Sequence, residues 1–260
     1  MKKIGMIICT AAILVTSCKK EDDHKGGTFK GPEVQVHKGK AWTWIKLDNA
    51  GHPEKLAVTI NDAAMNSVPL GGVHNSGHDN SSGNNWILKL HPKAGGTNID
   101  HVGLGWNPLG HEPEPIYGKP HFDIHFYMMS PAAVAAIPPY ELDSARFKNW
   151  PAPAYFPSTY INPGGGVPQM GAHWIDVTSP EIKGQPFTET IIYGSFDGKV
   201  TFLEPMITLD FLKKTSNFER SIPQPAKFQK SGYYPTKMNV IKHDGLTEII
   251  LAGFIYRTQS

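Results

Sequence analysis

Ala41-Trp42-Thr43-Trp44-Ile45-Lys46-Leu47 alternates along its length, and residues 55–60 alternate again after the turn-forming Asn49-Ala50-Gly51. A period of two sends successive side chains to opposite faces, so this stretch reads as a β-hairpin. Working outward, residues 86–90, 99–104, 188–193, 199–203, 238–241 and 247–256 are further strand candidates. Asp197-Gly198 between two of them is a tight-turn signal, because a two-residue hairpin loop needs residues that tolerate positive φ. Many short strands separated by Gly, Pro and Asn predict a mainly β fold, a single antiparallel sandwich or barrel over residues 39–260.

Helix signals are few. Ser130-Pro131 opens an alanine-rich stretch with a capping hydroxyl and a proline at the first helical position, and Pro138-Pro139 closes it. Residues 208–214 form a second short candidate. Residues 71–85 are nearly all Gly, Ser, Asn, His and Asp, while residues 149–168 thread prolines and aromatics past Gly164-Gly165-Gly166; both read as loops. No internal repeat and no second domain boundary is visible.

The beginning of the chain reads as an export signal. Lys2 and Lys3 precede an apolar run over 4–15, too short to span a bilayer comfortably, and Val15-Thr16-Ser17-Cys18 is a small-residue junction ending in cysteine. This resembles a bacterial lipoprotein signal, which implies that residues 1–17 are a removed leader and that Cys18 carries lipid. Lys19-Lys20-Glu21-Asp22-Asp23 resembles the acidic tag that sends some lipoproteins to the surface of Gram-negative cells. The polar stretch over 18–38 is expected to be a flexible tether. A cell-envelope protein of the outer membrane follows, with the membrane as its partner through the lipid and homo-oligomerisation left open.

Composition narrows the chemistry. The chain carries 25 Lys+Arg against 23 Asp+Glu, and loss of a leader holding Lys2 and Lys3 leaves 23 of each. A neutral domain with no basic stripe argues against nucleic acid as a partner. Cys9 lies in the leader and Cys18 would carry lipid, so the mature domain has neither a disulfide nor thiol chemistry. There is no phosphate loop or dinucleotide fingerprint, and no nucleotide cofactor is expected. Gly194-Ser195-Phe196-Asp197-Gly198 lacks the spacing of a nucleophile elbow and reads as a hairpin turn. Glu112 and Glu114 read as a solvated loop before a glycosidase pair, and His74, His78 and Asp79 as a polar loop before a ligand set. Asp143-Ser144-Ala145 resembles a short O-glycosylation motif of some surface bacteria.

Four segments concentrate histidine, carboxylate and indole beside glycine and proline: 110–115, 120–127, 170–176 and 202–206. Imidazoles and carboxylates are costly to gather unless something charged sits among them. If residues 121–128 form a strand, His121, Asp123, His125 and Tyr127 share one face while Phe122, Ile124, Phe126 and Met128 share the other. Residues two apart are then about 6.6 Å apart and can share an ion, whereas His121 and His125, about 13 Å apart, normally cannot. A bulge can bring them together, Asp123 can join one of them as ligand or fix an imidazole from behind, or the segment is a helix whose i, i+4 pair chelates. Its alternation and aromatic content favour the strand. Gly171 permits a close approach beside His173, and Glu204 precedes Pro205 where a pocket carboxylate is at home.

Trp42-Thr43-Trp44 with Gly51-His52-Pro53, Trp106-Asn107-Pro108 running into Gly110-His111-Glu112-Pro113, Tyr193-Gly194-Ser195 and Glu204-Pro205-Met206 carry a resemblance that extends over about residues 39–257. Together with residues 120–127, 168–176 and Ser179-Pro180-Glu181, they resemble a little-studied family of bacterial secreted or lipid-anchored β-rich proteins. That family includes a member controlled by an envelope-stress sigma factor. The resemblance implies one domain and an extracytoplasmic setting, and names no reaction. A weaker likeness is to cupins, whose sites use three His and one Glu; His121, His125, His173 and Glu204 supply those types in order, without the cupin His-x-His.

The expected site is therefore a divalent transition metal, zinc, copper, iron or manganese, held by His121, His125, His173 and Glu204. His111, Glu112, Asp123 and Trp174 are expected in the pocket or behind the ligands. An open coordination position would make a metal-dependent enzyme conceivable. The alternative is a non-catalytic binding or assembly module in which the same polar cluster only ties loops together.

Overall fold

A computed structural model describes residues 25–71 and 83–260. The leader, Cys18, the acidic residues at 21–23 and the loop residues His74, His78 and Asp79 lie outside the described residues.

The alternating segment at 41–47 lies in β3 (Gly39–Leu47), which pairs antiparallel with β4 (Pro53–Asn61) around the turn at Gly51, where φ is 88°. Ala41, Ile45 and Leu47 on β3 and Leu56, Val58 and Ile60 on β4 are buried, so the period of two does select one core face. β1 (Gly27–Lys30) and β2 (Val34–Val36) pair with β3, and β15 (Leu246–Ala252), β14 (Lys237–His243) and β12 (Asn217–Ser221) continue the sheet beyond β4. Residues 27–36, expected to be part of a flexible tether, instead carry two strands of this sheet. Residues 27–36 are polar by composition, but backbone pairing does not depend on side-chain polarity, and Val36 is fully buried.

The second sheet runs in the order β5 (Asn85–Lys89), β6 (His101–Asn107), β7 (His121–Tyr127), β11 (Lys199–Thr208), β10 (Glu189–Phe196), β9 (Ala172–Asp176) and β8 (Tyr160–Ile161). Its pairings are antiparallel throughout. Neither sheet closes on itself, so the architecture is a sandwich and not a barrel. One apolar core fills the space between the sheets, joining Ile45, Val58, Ile249 and Leu251 of the first to Leu104, Phe122, Ile124, Phe126, Ile191 and Leu203 of the second. Full burial of each such side chain contributes about 1.5–3 kcal/mol.

The expected tight turn joins β10 to β11. Asp197 and Gly198 have φ of 50° and 76°, the double positive conformation that matches the twist of a two-residue hairpin. Among the helices, α1 (Asp62–Met65) follows β4, α2 (Glu114–Tyr117) lies between β6 and β7, and α3 (Pro131–Ala135) starts where Ser130 accepts from the Ala133 amide. α4 (Ser144–Lys148) precedes the stretch 149–168, expected as a loop but carrying β8, and α5 (Leu209–Lys214) is capped by Thr208. Both helices expected from sequence are present.

β7 is central in its sheet and buried on both faces along its whole length. Its inner face is Phe122, Ile124 and Phe126. Its outer face carries His121, Asp123, His125 and Tyr127, and Tyr127 belongs to a second apolar cluster with Tyr117, Met170, Phe187, Ile192, Phe202 and Met206. Three ionisable residues are therefore buried beside a hydrophobic cluster, which is tolerated only where they satisfy one another or hold an ion.

Candidate metal centre

Strand geometry builds the site. The pairs Phe202 with Tyr127 and Leu203 with Phe126 set the register of β11 on β7, and continuing it places Glu204 opposite His125 and Met206 opposite Asp123. His173 on β9 lies opposite Gly194 of β10, which in turn lies opposite Phe202 of β11. On the other flank, Gly103, Gly105 and Asn107 of β6 face His125, Asp123 and His121. Glycine on both flanks leaves room above the sheet for two rows of imidazoles.

The face carries two ligand-type groups, and the ligand atoms within each lie within 4.8 Å of one another. In the first group, His125 Nε2 is 3.3 Å from Glu204 Oε1 and His173 Nε2 is 3.8 Å from Glu204 Oε2. The ring of Phe202 packs under both imidazoles, with centroids 4.8 Å from His125 and 5.3 Å from His173. Tyr127 stacks on His125 at 5.2 Å, and His101 stacks on the far side of Tyr127 at 4.9 Å, which fixes the plane of the His125 ring. His125 and Glu204 are buried; His173 has 19% of its side chain exposed and marks the solvent edge.

The second group is His111, His121 and Asp123. His121 Nε2 is 3.1 Å from Asp123 Oδ1, and His111 Nε2 is 3.6 Å from Asp123 Oδ2, which also accepts from the Asn107 amide at 2.7 Å. His121 Nδ1 faces the Lys119 carbonyl at 2.6 Å and His111 Nδ1 faces the Glu112 carbonyl at 2.8 Å. A carbonyl oxygen only accepts, so each Nδ1 carries its proton and each Nε2 is turned to the carboxylate.

The expected ligand set is thus brought together in part. His125, His173 and Glu204 converge, whereas His121 sits with His111 and Asp123 one strand step away. Glu112 contributes its backbone carbonyl while its own side chain is exposed. Trp174 lies on the opposite face of β9 from His173, stacked on Phe156 at 3.9 Å with its indole N–H donated to Ser195 Oγ, and belongs to the sandwich core. Asn107, His101 and Tyr117 are site residues that sequence reasoning missed. Gly103-x-Gly105-x-Asn107 was the available signal, since its alternation is in phase with β7.

Electrostatics separates the two carboxylates. Burial, and after it the negative charge of Asp123, pushes the Glu204 carboxyl well above the usual carboxylate range. Burial opposes ionisation of Asp123 too, but His121 and His111 overcome it and hold its pKa well below the usual range. Burial disfavours the charged form of His111, yet Asp123 and the Glu112 carbonyl leave its pKa raised. Buried Tyr117 is likewise raised, by burial first and then by Glu181 and Glu204.

A cleft of about 760 Å³ opens elsewhere, bordered by Met128, Arg146, Phe196, Lys199 and Phe228, and none of the six ligand-type residues lines it. No helix among the described residues is long and apolar enough to cross a membrane. Comparison with protein-family models, curated proteins and solved structures finds no match for this chain. The site's chemistry therefore has to be read from its own residues.

Proposed function

We propose that this chain is a lipid-anchored protein of the bacterial envelope that binds a divalent transition metal through His125, His173 and Glu204. The observation that carries the reading is the convergence of two imidazole Nε2 atoms on one buried carboxylate, at 3.3 and 3.8 Å. Two ligands held at about 2.0–2.1 Å from one tetrahedral ion stand about 3.3–3.4 Å apart; the His125–Glu204 contact has that spacing, and the ligand atoms of all three residues lie within 4.8 Å of one another. Nitrogen-rich donors favour zinc, copper, iron or manganese over magnesium.

Three protein ligands would leave a fourth position for water or substrate, and His173, 19% exposed, is the member of the set nearest solvent. An ion there supplies Lewis acidity and an activated water, which makes metal-assisted hydrolysis the reaction class this set serves best. Phe202 and Tyr127 orient His125, and the apolar cluster keeps bulk water from the buried side.

The test is metal content of the full chain after reconstitution with zinc, paired with melting with and without chelator. A metal-binding protein is stabilised by its ion in proportion to RT ln(1 + [L]/Kd), about 2.7 kcal/mol at a hundredfold excess over Kd. His173→Ala should reduce the chelator-sensitive part of the melting temperature and lower the zinc content. Substoichiometric zinc in the wild type, with equal melting in the two conditions, would instead establish a cluster that only ties the fold together.

A further inference from the structure

The reading above uses three of the six ligand-type side chains on this face. The other three show the construction of a ligand set in their own right. His121 and His111 stand 3.1 and 3.6 Å from the two oxygens of Asp123, which bracket the spacing of neighbouring ligands on one ion. Both imidazoles donate Nδ1–H to a backbone carbonyl, the outer contact that metal-ligating histidines almost always make, because it fixes tautomer and ring plane. Asn107 does the same for the carboxylate. His121 and Asp123 are fully buried, and His111, 15% exposed on the segment 108–120, is the member of the group nearest solvent.

One ion cannot serve all six residues. Alternate residues on a strand are about 6.6 Å apart, so the group that uses Asp123 and the group that uses His125 are centred one such step from each other. A bridged metal pair needs about 3.5–4 Å. The two groups also share no residue.

We propose that this face holds two divalent transition metal ions in separate, adjoining sites, the second bound by His111, His121 and Asp123. The proposal rests on the first site for its pairing, but each site has its own ligands. The second ion is the more enclosed of the two. It clips the segment 108–120 to β7, so it orders that segment against the face, while the first ion keeps the open position.

The experiment counts zinc per full chain after reconstitution and dialysis, in wild type, His111→Ala, His173→Ala and the double variant. His111 is chosen because it sits at the edge of the face on a loop, and cobalt(II) absorption on the same four proteins reports whether each remaining site keeps its ligand field. The expected result is two ions in wild type, one in each single variant with distinct cobalt spectra, and none in the double variant. A single ion lost in His173→Ala and kept in His111→Ala overturns the second site and leaves the first. A single ion lost in His111→Ala alone overturns the first site, and one lost in both variants means a shared ion; either result defeats the pair. No ion in wild type defeats both readings.

Discussion

His173 and Glu204 meet, Nε2 to Oε2 at 3.8 Å, although β10 separates the strands that carry them. What stands between them on β10 is Gly194, opposite His173 on one side and Phe202 on the other. A Cβ at this position would lie 2.1 Å from the Phe202 ring, so glycine is what lets the ring pack against both imidazoles.

Gly194→Ala should therefore force Phe202 aside. Overpacking of this kind costs about 1–3 kcal/mol, and the displaced ring would carry His125 and His173 away from Glu204. Urea unfolding should show the loss in stability, and zinc titration should show weaker binding at the same site. An unchanged unfolding midpoint would mean that the ring relaxes freely and that Gly194 has no such role.

Asp123 and Glu204 give the fold opposite pH dependences. A carboxyl whose folded pKa is raised keeps its proton in the fold after the unfolded chain has lost it, so stability falls as pH rises from the ordinary value toward the folded one. Glu204 behaves this way, from an ordinary value of 4.5 upward. Asp123 has a depressed pKa, so its contribution is present above its ordinary value of 3.8 and is lost as pH falls through the folded value. In chelator-treated protein, wild type should lose stability relative to Glu204→Gln as pH rises above 4.5. Parallel stability–pH curves for the two proteins would contradict this. Because a bound ion needs the carboxylate, zinc binding should also release protons, visible as a buffer-dependent enthalpy in calorimetry.

The alternation at 41–47 and 55–60 and the Asp197-Gly198 turn were enough to read the class of fold, because both are local properties of the chain. β7 was legible as a strand for the same reason, and with it the shared face of His121, Asp123 and His125. The partner of each histidine was not legible. That depends on the strand order β7–β11–β10–β9, which is set by packing between segments far apart in sequence, and it sends His173 and Glu204 to His125 but leaves His121 with His111. Short or polar strands such as β8 and β12 also escaped, since two to five residues of mixed polarity carry no period strong enough to read.

β1 and β2 are part of the folded sheet. Both pair with β3, Gly31 donates its amide to the Thr43 carbonyl at 2.8 Å, and Phe29 packs on the core. A chain beginning at Gly39 loses these bonds and the buried Val36, and exposes an edge of β3 to pairing with other chains. A chain beginning at Lys25 should be monodisperse in size-exclusion chromatography and unfold cooperatively, while one beginning at Gly39 should melt lower and aggregate. Equal melting of the two would show that β1 and β2 add nothing to the fold.

The proposed attachment to the membrane rests on Cys18. Its thiol ends a small-residue junction after a basic start and a short apolar run, and the residues that follow it are polar. A single acyl chain gives only reversible binding, whereas the several chains of a bacterial lipoprotein hold stably, each buried methylene contributing about 0.8 kcal/mol. Wild type should therefore sediment with membranes, incorporate a labelled fatty acid and yield a mature chain that begins at residue 18. Cys18→Ser removes the only thiol at the junction, so the label should be lost and processing at this junction should stop. Under the same proposal, the charged stretch Lys19-Lys20-Glu21-Asp22-Asp23 would direct the protein to the cell surface. Replacing Glu21, Asp22 and Asp23 with alanine should leave the lipid label intact and reduce digestion by protease added to whole cells. Unchanged digestion in that variant would separate surface display from the acidic residues, and an unlabelled wild type would remove the anchor altogether.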